Sequence, residues 1–232
     1  VSSVIRAVHV GSLLRPTELL DARAEHAAGR MDDGTLRETE DNAVRMALDL
    51  QHDSGIGIFT DGEYRRNDFM SHLTAATDGF VNEAPVLDWN AAEGESRKDD
   101  TILNLIGGPL RYRDRFTEAE ASFLDRHAPG PYKVTLPDPT NFVVANWERG
   151  VSGGHYPVRS DIVDDLTRIV RTEVDALVRD GVRHIQLDAP SFTAFVNPCW
   201  PSSRPRASTR GNCCRPASTR TARSSPDCAR PV

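Results

Sequence analysis

No cysteine occurs before residue 199: all four, Cys199, Cys213, Cys214 and Cys228, fall in the last 35 positions of a 232-residue chain. The body therefore needs no disulfide framework, and nothing in it asks for an oxidising compartment. Long apolar runs are missing too. None approaches the roughly 18 residues of a membrane span, and the opening "VSSVIRAVHVGSLLRP" has no continuous apolar core of a secretory signal, so the expected compartment is the cytoplasm and no membrane partner is expected. Basic charge is scarce where it would matter for nucleic acid. Residues 1–197 carry 21 basic against 33 acidic side chains, an acidic body that excludes a phosphate-backbone partner. No HExxH occurs, and His9, His72, His127, His155 and His184 form no metal-binding pair at helical spacing, so each is read as structural or exposed. "GIG" and "IGG" lack the context of a phosphate loop and read as turns.

What is present between His9 and Pro190 is an alternation of short apolar runs with amphipathic segments, the pattern of a parallel α/β fold. "RAVHVGS" reads as a first strand, followed by a helix opening near Pro16. Leu36, Ala43, Val44, Ala47, Leu48 and Leu50 give a longer helix an apolar side that Gly55 ends. "GIGIFTDGE", "TILNLIGG" and "YKVTLPDP" are further strand candidates, with Thr117 and Glu120 spaced as a capping box before the third. Ile162, Leu166, Ile169, Val170, Val174, Leu177 and Val178 repeat at helical spacing, with Asp161 placed to cap the start and Gly181 the end, and "VRHIQLDAP" follows as a strand. About five strand-helix steps are expected.

In parallel α/β folds functional groups collect at the C-terminal ends of strands. Here those ends carry Gly11 and Ser12; Asp61, Gly62 and Glu63, with Arg65 and Arg66 behind them; Asp138; and Asp188. Several acids around one mouth suit a cationic group, an ammonium or a metal. Each residue also has a plainer reading. Gly11 and Ser12 alone suit a turn, Glu63 a solvated ion network with its arginines, Asp188 a helix cap, and Asp61 and Asp68 surface or capping acids.

Together "HVGSLLRP", "TDGEYRRNDF" and "HIQLDAPSF" resemble, in order and wording, the strand-end motifs of the cobalamin-independent methionine synthase catalytic domain and its shorter relatives, over about His9 to Val196. The resemblance implies a (β/α)8 barrel of which this chain holds about the first five strands. It also implies a zinc-dependent transfer of a methyl group from 5-methyltetrahydrofolate to the thiol of homocysteine. By the same resemblance Val10, Gly11 and Ser12 would meet the substrate's carboxylate, and Glu63 and Asp188 its ammonium. The implied partners are a small thiol and a methyl donor.

Two departures point to a divergent substrate. Ala189 stands where the family motif carries Glu, and Asp138 stands where it carries a loop glycine. A related thiol alkyltransferase acting on an epoxide-derived or corrinoid substrate tolerates both. The family's zinc ligands are expected after Val196, yet residues 198–232 hold six Pro and seven Arg and scarcely an aliphatic side chain. That composition reads as a disordered tail following a partial barrel over 1–197. Its cysteines lack the C-x2-C spacing of a zinc module. A shifted reading frame is the expected cause of the break, an inactive truncated product or at best a ligand-binding remnant is the alternative to an enzyme, and open strand edges are expected to favour self-association.

Overall fold

A computed structural model of the chain describes residues 8–81 and 104–193. The chain divides into two compact units, Val1–Ser191 and Phe192–Val232, and the elements below belong to the first. The segment 198–232, with its expected disorder and its four cysteines, lies outside the described residues. Among those described, no helix is long and apolar enough to cross a membrane.

Helix α1 (Thr17–Ala27) begins one residue later than Pro16 suggests. Pro16 has the φ of a helix but an extended ψ of 148°, so it serves as N-cap, its carbonyl accepting from the Leu19 and Leu20 amides at 3.1 and 3.2 Å. In α2 (Asp33–Asp53) the Asp32 carboxylate caps the Thr35 amide at 2.9 Å, and Gly55, at φ +73°, follows the C-cap as expected. Ala43, Val44, Ala47 and Leu48 face the core, but Leu50 is exposed and the polar Gln51 is buried in its place. Gln51 occupies the i+4 and i+3 position of that stripe, and its amide acts as a short ladder. Its Nε2 donates to the Thr60 carbonyl and its Oε1 accepts from the Thr60 amide, both at 2.9 Å.

After the short α3 (Ser71–Ala75), β1 (Thr77–Val81) pairs antiparallel with β2 (Leu105–Tyr112), with an irregularity between Asp78 and Phe80. Gly79 sits there at φ +101°, where a Cβ would lie 2.6 Å from the Pro109 carbonyl oxygen. The part of "TILNLIGG" within β2, Leu105–Gly108, is thus strand, but of a hairpin-like pair rather than of the parallel set, its partner β1 reading too polar to be recognised.

Helix α4 (Glu118–His127) leads to β3 (Lys133–Pro137), then α5 (Pro139–Ala145), α6 (Arg149–Ser152), α7 (Arg159–Arg179) and β4 (His184–Asp188). β3 and β4 are parallel, Lys133 opposite His184 and Pro137 opposite Asp188. A parallel bridge between Phe59 and Tyr132 lays the Phe59 segment on the far side of β3. "GIGIFTDGE" contributes only this bridge, and residues 8–12, the described part of the expected first strand, form no ladder.

Three capping expectations fail. Thr117 precedes α4 without a side-chain cap, since its hydroxyl donates to Glu173 on α7 at 2.5 Å, and Glu120 faces inward to Arg66. Asp161 lies in the first turn of α7, whose N-cap is Val158. Gly181, at φ +89°, does end the helix. On α7, Ile162, Leu166, Ile169, Val170 and Leu177 are buried as expected, Val178 is exposed, and Glu173 is buried between them. Ile162, Leu166, Ile169, Val170 and Leu177 pack with Val44, Leu48, Val134, Leu136 and Phe142 in one apolar cluster beneath β3.

Candidate functional site

Side chains alternate across a strand, so Val134 and Leu136 enter that cluster while Lys133 and Thr135 face the opposite side, joined there by Gln186 and Asp188 from β4. This second face holds the N-terminal segment. Lys133 Nζ donates to the His9 carbonyl at 2.6 Å, the Val10 carbonyl at 3.3 Å and Gln186 Oε1 at 2.5 Å, and Gln186 Nε2 donates to the Val10 carbonyl at 2.6 Å. Two side chains thus satisfy backbone groups that a strand ladder would otherwise hold. His9 adds a third anchor, its Nε2 lying 2.9 Å from Gln51 Oε1 and 2.8 Å from Thr60 Oγ1. Burial holds the Lys133 amine below its ordinary value, against the pull of Asp188 and Glu63.

The turn after Thr60 is built around two successive left-handed residues, Gly62 at φ +69° and Glu63 at φ +58°. Glycine takes this geometry freely; a glutamate does not, and such strain collects at functional positions. Several groups hold Glu63 in it. Asp61 Oδ1 accepts its amide at 2.9 Å, Arg15 Nη2 donates to its carbonyl at 3.1 Å, and the Leu13 amide donates to the Gly62 carbonyl at 3.1 Å.

The Glu63 carboxylate is 1% exposed, not solvated. Its Oε2 accepts from the Ser12 hydroxyl and its Oε1 from the Thr135 hydroxyl at 2.8 Å, while Arg66 Nη1 stands 3.5 Å from Oε1. Gly11 fits closely beside it: a Cβ there would lie 3.3 Å from Glu63 Oε1, so the carboxylate would have to shift by a few tenths of an ångström. Arg66 is committed elsewhere: Nε and Nη2 fork onto Glu120 at 2.7 and 2.6 Å, and Nη2 also reaches the Thr135 carbonyl at 2.8 Å. Burial opposes ionisation of Glu120, but Arg66 and His72 overcome it and draw its carboxyl down to about 2. His72, with Nδ1 at 3.0 Å from Glu120, is correspondingly raised against its own burial. Arg65 points away, its guanidinium stacked 4.6 Å over Phe123.

Asp188 ends β4, its carboxylate accepting from Gln186, with burial and the nearby Glu63 charge raising its pKa. Asp138, read with it as a mouth acid, caps α5 by accepting the Thr140 amide at 2.9 Å. Asp68 closes a local turn, its carboxylate accepting the Met70 amide at 2.8 Å, and caps no helix. Asp61 is neither surface nor simple cap: it is buried, and burial pushes its carboxyl up to about 6.

Val10, Gly11, Ser12, Glu63 and Asp188, read from three separated motifs, line one cavity of about 380 Å³, closed on its apolar side by Phe69, Ala189 and Pro190. Its only charged lining groups among the described residues are the two carboxylates.

Residues 5–198 match the family described as the cobalamin-independent synthase catalytic domain. The chain belongs to this family. It is 29% identical over 184 residues to a methionine synthase of Saccharolobus islandicus and 27% identical over 188 residues to one of Sulfurisphaera tokodaii, aligning 79% and 81% of its own length with 52% of theirs. The chain therefore spans about half the length of the curated relatives it matches. In fold it is similar to a B12-independent methionine synthase from Shewanella sp. W3-18-1 solved with selenomethionine, with a TM-score of 0.63 at 24% identity over 80% of this chain and 51% of that one. The chain is thus α/β, with the fold of part of that synthase.

Lys133 and Thr135 have no part in the sequence reading, and Asp61, Arg66, Glu120 and His72, each given a separate surface, capping or structural role there, are brought by the fold into one buried group. They lie within a strand, inside a turn or on helices, and only the alternation within "YKVTLP" signals that Lys133 and Thr135 share a face.

Proposed function

We propose that the cavity binds the amino-acid end of homocysteine for methyl transfer of the methionine-synthase type from 5-methyltetrahydrofolate. The observation that carries this is the meeting of Glu63 and Asp188 with the Gly11–Ser12 segment around one opening. The cations nearby are spent: Lys133 on carbonyls and a side-chain amide, Arg66 on Glu120. The two carboxylates keep free lone pairs for an ammonium. The Ser12 hydroxyl is given to Glu63, the backbone amides of the Val10–Ser12 segment suit a carboxylate, and Phe69 and Pro190 leave an apolar course for the carbon chain. Gripping both charged groups on the α-carbon fixes where the sulfur at the far end of the chain meets a donor methyl, the contribution of orientation to such a transfer.

The reading includes a (β/α)8 barrel of which 1–197 forms the first part, and a cytoplasmic enzyme. Among the described residues no three His, Cys, Asp or Glu side chains gather as a metal site. The ligands of the zinc implied by the family resemblance are expected after Val196, outside the described residues, and the chemistry assigned to the described side chains is binding and orientation. β4 has no second neighbour among the described strands, and Leu187 on it is 49% exposed, which supports self-association through that edge.

Calorimetry with L-homocysteine and with its deamino analogue γ-mercaptobutyrate tests the grip. Homocysteine is expected to bind roughly 10 to 100 times more tightly, the range of a charge-assisted hydrogen bond. Equal binding overturns the reading. It would favour the thiol alkyltransferase alternative, which Ala189 on the cavity wall, where the family motif carries Glu, keeps in view.

A further inference from the structure

We infer that Thr135 is a positioning residue that keeps the Glu63 carboxylate off Arg66 and turned toward the cavity, and so sets the preference of this site for ligands bearing an ammonium. The inference rests on the reading of Glu63 as an ammonium partner.

Glu63 Oε1 lies between two donors, the Thr135 hydroxyl at 2.8 Å and Arg66 Nη1 at 3.5 Å. The first is a full hydrogen bond and the second a loose ion pair. Both donors are buried, so neither is weakened by water. Thr135 also fixes the competing cation, because its carbonyl accepts from Arg66 Nη2 at 2.8 Å. One residue of β3 therefore holds the acid with its side chain and the guanidinium with its backbone, at a set separation. Ser12 restrains only the other oxygen. Without the Thr135 hydroxyl, Oε1 loses its nearer donor and a short side-chain rotation closes it on Arg66. That rotation converts an acid available to a ligand into one neutralised internally.

The test compares the full chain with T135V and T135S, measuring binding of L-homocysteine and of γ-mercaptobutyrate by calorimetry. In T135V the ratio of the two affinities should fall about tenfold, with γ-mercaptobutyrate binding nearly unchanged, and T135S, which restores the hydroxyl, should recover the ratio. A merely structural residue would weaken both ligands together. T135A removes the hydroxyl without setting a methyl against the carboxylate and gives the same reading if T135V does not fold. A preserved ratio in the hydroxyl-free variants overturns this inference alone. Equal binding of the two ligands by the unaltered chain overturns the reading of Glu63 and this inference with it.

Discussion

Glu63 and Glu173 are both buried glutamates, both accept from a threonine hydroxyl and both lie near an arginine, yet they are opposite kinds of residue. Glu173 sits within α7, its carboxylate taking the Thr117 hydroxyl at 2.5 Å, the Thr117 amide at 3.3 Å, Arg115 Nε at 3.1 Å and the Tyr112 hydroxyl at 2.9 Å. It is filled by protein donors from β2 and the start of α4, and it joins those elements to α7. Glu63 sits in a left-handed turn, accepts two hydroxyls and borders a cavity shared with a second carboxylate. Burial and charge do not separate the two. Unfilled acceptor capacity, backbone strain and an adjoining cavity do.

The comparison predicts its own asymmetry. Glu173→Ala should lower the unfolding free energy by about 3 kcal/mol or more, since it strands buried donors, while leaving the preference for homocysteine over its deamino analogue intact. Urea unfolding and calorimetry on the same variant check both halves. Glu63→Gln should do the reverse, reducing that preference roughly 10- to 100-fold with a stability change within about 1 kcal/mol. If Glu63→Gln were the more destabilising of the two, the distinction drawn here would collapse.

Asp61 gives a pH test intermediate in size. Its carboxyl ionises at about 6 in the folded protein against 3.8 ordinarily. Between those values the folded chain keeps a proton the unfolded chain has lost, so this group makes stability fall as pH rises through the window, by on the order of 2 to 3 kcal/mol. Glu120, drawn from 4.5 down to about 2, acts in the opposite sense and stabilises above 4.5, its contribution fading as pH falls toward 2. Asp61→Asn should flatten the decline between pH 4 and 6 in a series of thermal melts; an undiminished slope would show that Asp61 does not carry it. The smallest effect belongs to the exposed pair Arg171–Asp175 on α7, 3.2 Å apart, where Arg171→Ala should cost about 0.5 kcal/mol or less.

This contrast also explains what the sequence made legible. The polar ends of "HVGS", "TDGE" and "HIQLD" stand out against the apolar runs before them, of which only the last is a strand, and all five residues singled out there share the cavity. The apolar stripe of α7 was readable for the same reason, as was the strand 133–137. Buried charges were not. Arg66 and Glu120 are 54 positions apart, and periodicity assigns each to a surface until the fold brings them together. Thr117 and Glu120 have capping-box spacing, but Glu173 and Arg66 compete for them and win, because a buried carboxylate or guanidinium needs its partners more than an exposed helix end does. Thr135 looked like strand filler, since nothing local says that the hydroxyl faces an acid 72 residues earlier. β1 was missed because "TDGFV" has neither alternation nor a continuous apolar run.

The most direct test of the central claim is a crystal structure of this chain soaked with L-homocysteine. The account predicts the ligand nitrogen within hydrogen-bond distance of both Glu63 and Asp188, with the ligand carboxylate against Gly11 and Ser12. A nitrogen placed away from both acids, or a ligand bound outside this cavity, would contradict it.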